Sequence, residues 1–506
     1  MANNSSKVRV RLAPSPTGYI HIGTMRTALF DFLFAGHNDG TVILRIEDTD
    51  QNRFVEGALE NMLKVFRQMG LEFDEGYYLD AEDHIQEKGD YGPYIQSKRL
   101  NLYHEHAKQL IGKGAAYYCF CDESRLEDLR KEQIALKKPP MYDRHCRNLS
   151  PADTQKKLKE FEDGGKKPVV RQAIPLEGQT VIHDLVFGDI TYDHRVLDDQ
   201  VLLKSDGFPT YHLAVIVDDH LMEISHVIRG EEWIPSTPKH ILLYQAFGWE
   251  PTAFAHLPLI LNPDKSKLSK RQGDVSVEDF LNKGYLPEAL LNFVAFLGWN
   301  PKTEQEIFTL QEMIDQFDFS KVNKAGAVLD MNKLDWMNGL YIRTLDPSDL
   351  AESLIPYWEA AGLIDKSKTD MSYLTAVANL EKERLKKLSE IGERTRYFFV
   401  EPEVDPQLLV WKKSSASDAK EKLTALAAFL KELDDSVIAD SKELEARVKA
   451  YIQENSFDTG SVLWPMRVAL TGLPASPTPF EVASTLAVGL GKEAVIRRLE
   501  KAATSL

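Results

Sequence analysis

Two stretches of this 506-residue sequence carry side chains suited to handling phosphate. Residues 11–24, RLAPSPTGYIHIGT, bring Ser15, Thr17 and His21 together with two prolines and two glycines. Residues 265–271, KSKLSKR, place Lys265, Lys267, Lys270 and Arg271 around Ser266 and Ser269. Hydroxyls and an imidazole suit a nucleotide phosphate, and a cluster of ammonium groups suits a triphosphate. Three further sets stand out. Glu47 and Asp48 could recognise an ammonium group. Arg229 could clamp a carboxylate with paired charge-assisted bonds and would leave an amide poorly matched. Cys119, Cys121 and Cys146 offer three thiols. Each has an ordinary alternative: a plain strand-to-helix turn, a solvated basic face, a helix cap leading into Asn52 and Arg53, a salt bridge from Arg229 to Glu231 or Glu232, and cysteines packed as small apolar groups.

The elements around these residues can be read from periodicity. Residues 8–12 alternate as a strand does, and Ala28, Leu29, Phe32 and Leu33 recur at helical spacing over 25–35. Residues 14–24 are therefore a strand-to-helix turn, stiffened by Pro14 and Pro16 and bent at Gly18. His21 and Gly23 then fall at a helix N-terminus, where N–H groups and the dipole favour an anion. A strand over 41–46 completes a βαβ unit, followed by a helix over 57–71. This predicts a doubly wound α/β fold, whose ligands bind at the carboxyl ends of the strands. Glu47 and Asp48 sit at such an end. The 265–271 run follows an apolar segment at 257–261 and is flanked by Asn262-Pro263-Asp264 and Gly273, so it reads as a loop.

Between 103 and 204 the pattern changes to Lys- and Glu-rich helices, such as 123–137, and short strands at 169–174 and 189–192. This reads as an α+β insertion splitting the sheet. Residues 211–217 form an apolar element, and a helix over 238–247 carries His240, expected as a packed surface residue. Residues 275–299 read as helical. Beyond 343 strands nearly vanish, and 385–399, 420–433, 441–454 and 480–491 read as amphipathic helices.

With 43% hydrophobic residues the chain can build several cores. Its net charge of −16 argues on its face against a nucleic-acid partner, but a whole-chain sum does not exclude a local basic face. Residues 1–11 lack the apolar core of a signal peptide, no apolar run reaches membrane-spanning length, and three cysteines make no disulfide framework. A reducing cytoplasm and no membrane are expected.

PSPTGYIHIGT resembles the HIGH signature of class I aminoacyl-tRNA synthetases, and KLSKR resembles their KMSKS loop. Thr24 stands at the second histidine of HIGH, as is usual in the glutamyl branch. LRIEDTD, residues 44–50, narrows the similarity to the glutamyl-tRNA synthetases over nearly the whole chain. The resemblance implies a Rossmann-type catalytic domain in two halves (1–102 and 205–274), an acceptor-end-binding insertion (103–204), a stem-contact domain (275–342, with 336–341) and an all-α anticodon-binding region of two subdomains (343–506). It implies ATP-dependent attachment of L-glutamate to tRNA(Glu) through a glutamyl-adenylate, with Mg²⁺, by a monomer. A non-discriminating form that also charges tRNA(Gln) is the alternative. An adenylyltransferase acting on a small acceptor would not need the helical C-terminus, and a non-catalytic relative would not need His21, Gly23 and Lys270.

The resemblance further assigns ATP to Ser15, Thr17, His21, Gly23, Glu232, Lys267 and Lys270, with His21 and Lys270 acting on the phosphates. It assigns glutamate to Arg11, Ser15, Glu47, Tyr211 and Arg229, and the third anticodon base to Arg384, read as lying on a helix. The family often has asparagine where this chain has Val215. Zinc-bearing members have a histidine where this chain has Asn148, which leaves Cys119, Cys121 and Cys146 short of a closed tetrahedral zinc site.

Overall fold

The computed structural model describes residues 7–53, 55–268, 275–365, 367–412 and 414–506, without the side chain of Asn52. Lys270, and with it the later part of the lysine-rich run, lies outside the described residues. The chain divides into two compact units, Met1–Phe280 with Leu290–Asp330, and Leu281–Ala289 with Met331–Leu506. The span expected as a stem-contact domain, 275–342, is thus shared between the two.

The first unit opens with β1 (Arg9–Leu12), α1 (Ile22–His37) and β2 (Thr41–Leu44), the predicted βαβ unit. Gly18 takes a φ of 115°, a conformation that favours glycine, and the His21 ring caps α1 by accepting the Gly23 N–H at Nδ1, 3.0 Å away. Then come α2 (Ala58–Gln68), β3 (Glu75–Leu79) and β4 (Ile85–Lys88). The first sheet has the order β1-β2-β3-β4, with β1, β2 and β3 parallel. Helix α3 (Leu100–Gly112) leads into a three-stranded antiparallel sheet of β5 (Ala116–Cys119), β6 (Val169–Gln172) and β9 (Val201–Leu203), with α4 (Glu123–Ala135) and α5 (Pro151–Asp163) inserted between β5 and β6.

The second large sheet contains β7 (Gln179–Asp184), β8 (Gly188–Asp193), β10 (His226–Gly230) and β11 (Ala253–Leu257) in the order β10-β11-β7-β8. β7 and β8 come from within the span read as an insertion, yet β7 runs parallel to β11, pairing Asp184 with Phe254. The insertion is therefore partly built into the catalytic sheet. Helix α6 (Tyr211–Leu221) precedes β10, and α7 (Thr237–Phe247) connects β10 to β11. The 211–217 segment is thus helical, its apolar side chains buried all round.

The two large sheets meet at β1 and β10. Ser225 donates its N–H to the Arg9 carbonyl at 2.9 Å, and its hydroxyl accepts the Arg9 N–H at 2.8 Å. β1 connects outward to β2 and β10 to β11, so the strand order reverses here. Crevices at such reversals, beyond the carboxyl ends of the strands, are where doubly wound sheets bind ligands. Buried charge ties the point together. Asp219 of α6 accepts Arg11 Nε at 3.0 Å and Arg45 Nη1 at 2.7 Å, and Arg45 Nη2 donates to Glu47 at 3.1 Å. The adjacent Asp218 accepts Gln96, Arg99 and Tyr103 at 2.8–2.9 Å. Removing one member of such a set leaves an unpaired buried charge and typically costs about 3–5 kcal/mol.

The 275–299 segment forms two short helices, Val277–Asn282 and Pro287–Ala295, broken where Gly284 has a φ of 82° and Pro287 starts the second. In the second unit the described residues form helices and no strand. Trp358, Leu374, Phe398, Leu426, Val448, Met466 and Leu499 share one core. The predicted 385–399 helix begins only at Ile391, after a 3₁₀ turn, so Arg384 lies on the connection after Met371–Glu381. No helix among the described residues is long and apolar enough to cross a membrane.

Candidate active site

A cavity of about 880 Å³ opens between the ends of β1 and β10. Arg11, Ser15, Thr17, His21, Gly23, Glu47, Tyr211, Arg229, Glu232 and Lys267 all line it, so every described residue expected to bind glutamate or ATP faces one space. The lysine-rich run enters this wall. Lys267 bridges to Leu261, Leu268 also lines the cavity, and the chain returns at Val275, whose carbonyl accepts the Ile22 N–H at 3.0 Å. Ser276 then bridges to His21. The described residues on either side of Lys270 thus border the cavity, at Leu268, and the turn that carries His21, at Val275 and Ser276.

One end of the cavity lies at the N-terminus of α1. With Nδ1 of His21 accepting the Gly23 N–H, a ring proton is placed on Nε2. A Cβ on Gly23 would stand 3.1 Å from His21 Nδ1, so glycine keeps this cap open. Arg26 of α1, which the motif reading passed over, lines the cavity and donates to the carbonyls of Leu297 at 2.8 Å and Pro258 at 2.6 Å. It ties the helix behind His21 to the strand connection that leads toward the lysine-rich run.

The other end is charged. Glu47 is buried; burial pushes its carboxyl up to about 7, opposed by the charges of Arg45 and Arg11. Arg229 is also buried but, among the described residues, forms no ion pair, so the alternative salt bridge to Glu231 or Glu232 is not made. It donates instead to His256 Nε2 at 3.1 Å, Tyr211 Oη at 3.1 Å and Thr237 Oγ1 at 2.7 Å, and it meets His240 Nδ1 at 3.3 Å. His240 is fully buried against Arg229 rather than on the surface. Burial holds the His240 and His256 rings below their usual pKa, so both face the guanidinium as neutral acceptors. Val215 is buried one turn after Tyr211 and does not line the cavity, so the wall makes its polar contacts without a group at that position.

The three cysteines converge at the end of β5, their sulfurs all within 4.8 Å of one another. Asn148 is exposed and takes no part. The group that completes the cluster is Tyr142, whose hydroxyl lies 3.3 Å from Cys119 Sγ and 3.4 Å from Cys121 Sγ. Three sulfurs and a phenol oxygen at this spacing fit a tetrahedral metal with bonds of about 2.0–2.3 Å. A phenol at 142 lies outside the expectation of a histidine at 148 as the fourth ligand.

In the second unit Arg384 borders a separate cavity of about 620 Å³, with Glu381, Arg394, Tyr397 and Ser476. Glu381 is buried, 3.8 Å from Arg384 and 3.7 Å from Arg394.

Residues 7–336 match the family of class I tRNA synthetases (E and Q), catalytic domain, and 349–503 match an anticodon binding domain. The chain is 45% identical over 504 residues to the glutamate-tRNA ligase of Dehalococcoides mccartyi, covering 99% of each, and 43% identical over 502 residues to that of Clostridioides difficile, covering 97% of this chain and 98% of the other. It is similar to the crystal structure of a glutamate tRNA ligase from Elizabethkingia meningosepticum in complex with its amino acid, with a TM-score of 0.86 and 34% identity over 99% of this chain and 100% of that one. Matched in both domains and along its whole length, the chain belongs to the glutamyl-tRNA synthetases, class I ligases that attach glutamate to tRNA.

Proposed function

We propose that this cavity holds L-glutamate and ATP side by side, forms glutamyl-adenylate and passes the glutamyl group to the terminal ribose of tRNA(Glu) in the cytoplasm. The observation that carries this reading is the convergence of a helix N-terminus, a lysine-bearing connection, a buried acid and a buried arginine on one space. Glu47 takes the α-ammonium, and Arg11 and Ser15 steady the amino acid. The side-chain carboxylate lies against Arg229 and Tyr211. Four of the five guanidinium N–H groups have partners among the described residues, one of them the Tyr211 oxygen. The carboxylate therefore receives one remaining N–H together with the Tyr211 O–H. A glutamine amide would set its own N–H₂ against one of these donors, and a site built this way discriminates strongly.

The α-carboxylate attacks the α-phosphorus of ATP and pyrophosphate leaves. No protein nucleophile is required. His21, Thr17, Lys267 and Lys270 hold the phosphates, and Glu232 lies at the nucleotide side. Mg²⁺, when bound, shares the charge of the phosphates. Rate acceleration comes from alignment and from positive charge around the pentavalent phosphorus. Arg384 and its cavity would meet the anticodon. Cys119, Cys121, Tyr142 and Cys146 would hold a structural zinc that ties the end of β5 to the 142–146 loop.

Incorporation of labelled amino acid into purified tRNA(Glu) is expected with glutamate and not with glutamine or aspartate. Lys270→Ala should lower tRNA-dependent pyrophosphate exchange by roughly a hundredfold or more, the effect of losing one charged transition-state contact. Wild-type exchange in that variant would contradict its role. Because only the ionised Glu47 pairs with an ammonium and its pKa is raised to about 7, the carboxylate is lost as pH falls through 7. The KM for glutamate should therefore rise about tenfold per pH unit below that point, and Glu47→Gln should flatten the profile. Metal analysis of the purified protein should find one zinc per chain, reduced in Tyr142→Phe and lost in Cys146→Ser. A zinc-free wild type would refute the metal assignment.

A further inference from the structure

Arg229 is held in an unusual way for a buried cation: every hydrogen-bond partner it has among the described residues is neutral, and the nearest acid in its network, Asp184, is one imidazole ring away. His256 Nδ1 and Asp184 Oδ2 are 2.6 Å apart, so the proton between them sits on Nδ1 and the Nε2 lone pair faces Arg229 Nε. Asp184 is itself pinned by the backbone N–H groups of His256 at 3.1 Å, Val186 at 3.0 Å and Phe187 at 2.8 Å. Thr237 accepts from Arg229 and passes its own proton to the Trp233 carbonyl at 2.9 Å. A carboxylate touching Arg229 directly would compete with the carboxylate of a substrate. Placing the acid behind an imidazole fixes the plane of the guanidinium and leaves its charge available.

We propose that Asp184 and His256 are positioning residues that set the plane of the Arg229 guanidinium and thereby the preference for a side-chain carboxylate over an amide. This rests on the reading in which Arg229 takes that carboxylate. Asp184 reaches the site only because β7, read from the sequence as part of the insertion, pairs with β11. Without the Nε2 acceptor the guanidinium keeps its contacts to Tyr211, His240 and Thr237 but loses the one that fixes Nε, and its plane can tilt. The remaining N–H then no longer lines up with the Tyr211 hydroxyl.

The test is steady-state aminoacylation by the full-length enzyme with glutamate, glutamine, ATP and tRNA varied in turn. His256→Phe keeps a flat ring and removes both nitrogens, while His256→Gln returns an acceptor near the Nε2 position. For His256→Phe the KM for glutamate should rise about tenfold to a hundredfold, the range expected when a hydrogen bond to a charged group is lost. Its kcat should change little, its KM values for ATP and tRNA should stay as in wild type, and its glutamate-over-glutamine preference should shrink. His256→Gln should recover most of the loss. If His256→Phe does not fold, Thr237→Val, which removes the Nη2 acceptor, should show the same split between substrates. An unchanged KM for glutamate, or equal rises for all three substrates, would overturn the proposal. Arg229→Leu, measured alongside, separates the two levels. If it leaves the KM for glutamate unchanged, the reading of Arg229 fails. If it raises that KM while His256→Phe does not, only the positioning role fails.

Discussion

Two neighbouring acids on α6, Asp218 and Asp219, govern how the catalytic unit is assembled. Both are buried, and a buried carboxylate is tolerated only when its oxygens are fully engaged. Asp219 draws in Arg11 from β1 and Arg45 from the end of β2. Although burial alone would push it up, these two cations hold the Asp219 carboxyl below its usual range. Asp218 draws in the chain at Gln96, Arg99 and Tyr103. The first half of the sheet is thereby locked to the helix that introduces the second half, and the crevice between β1 and β10 acquires its charged floor.

That floor explains why the cavity has two chemically different ends. Toward α1 the cavity is bordered by the positive end of the helix dipole, the His21 ring and the Ser15 and Thr17 hydroxyls, a setting suited to phosphate. Toward β10 the groups are a buried acid and a buried guanidinium, suited to a zwitterion with a second carboxylate. Glu47 is held through Arg45, so its position depends on the same buried set. Arg229 is treated differently. It is surrounded by neutral acceptors, which orient it without consuming its charge. A site that must bind an anion reversibly benefits from this arrangement, because a resident carboxylate would have to be displaced at each turnover.

Much of this was legible before any coordinates. Prolines, Gly18 and helical periodicity located the turn at 14–24 and the helix N-terminus at His21 and Gly23, because those signals are local. The lysine-rich run and LRIEDTD are contiguous, so they could be matched to a family as they stood. The residues that hold Arg229 were not legible. Asp184, Thr237, His240 and His256 are single polar residues in separate elements, and only the pairing of β7 with β11 brings Asp184 to His256. Tyr142 escaped notice because a phenol falls outside the thiol and imidazole pattern by which metal sites are sought. Arg384 was read onto a helix because the surrounding lysines and leucines have helical spacing. In the structure the chain breaks after Glu381 and resumes helix only at Ile391.

The most direct measurement is a crystal structure with a non-hydrolysable glutamyl-adenylate analogue. The predicted result places the amino group within hydrogen-bonding distance of Glu47, the side-chain carboxylate on Arg229 and Tyr211, and the phosphate at His21, with the Arg229 contacts to His256 and Thr237 intact. A ligand seated outside the crevice between β1 and β10, or one whose carboxylate binds away from Arg229, would contradict it.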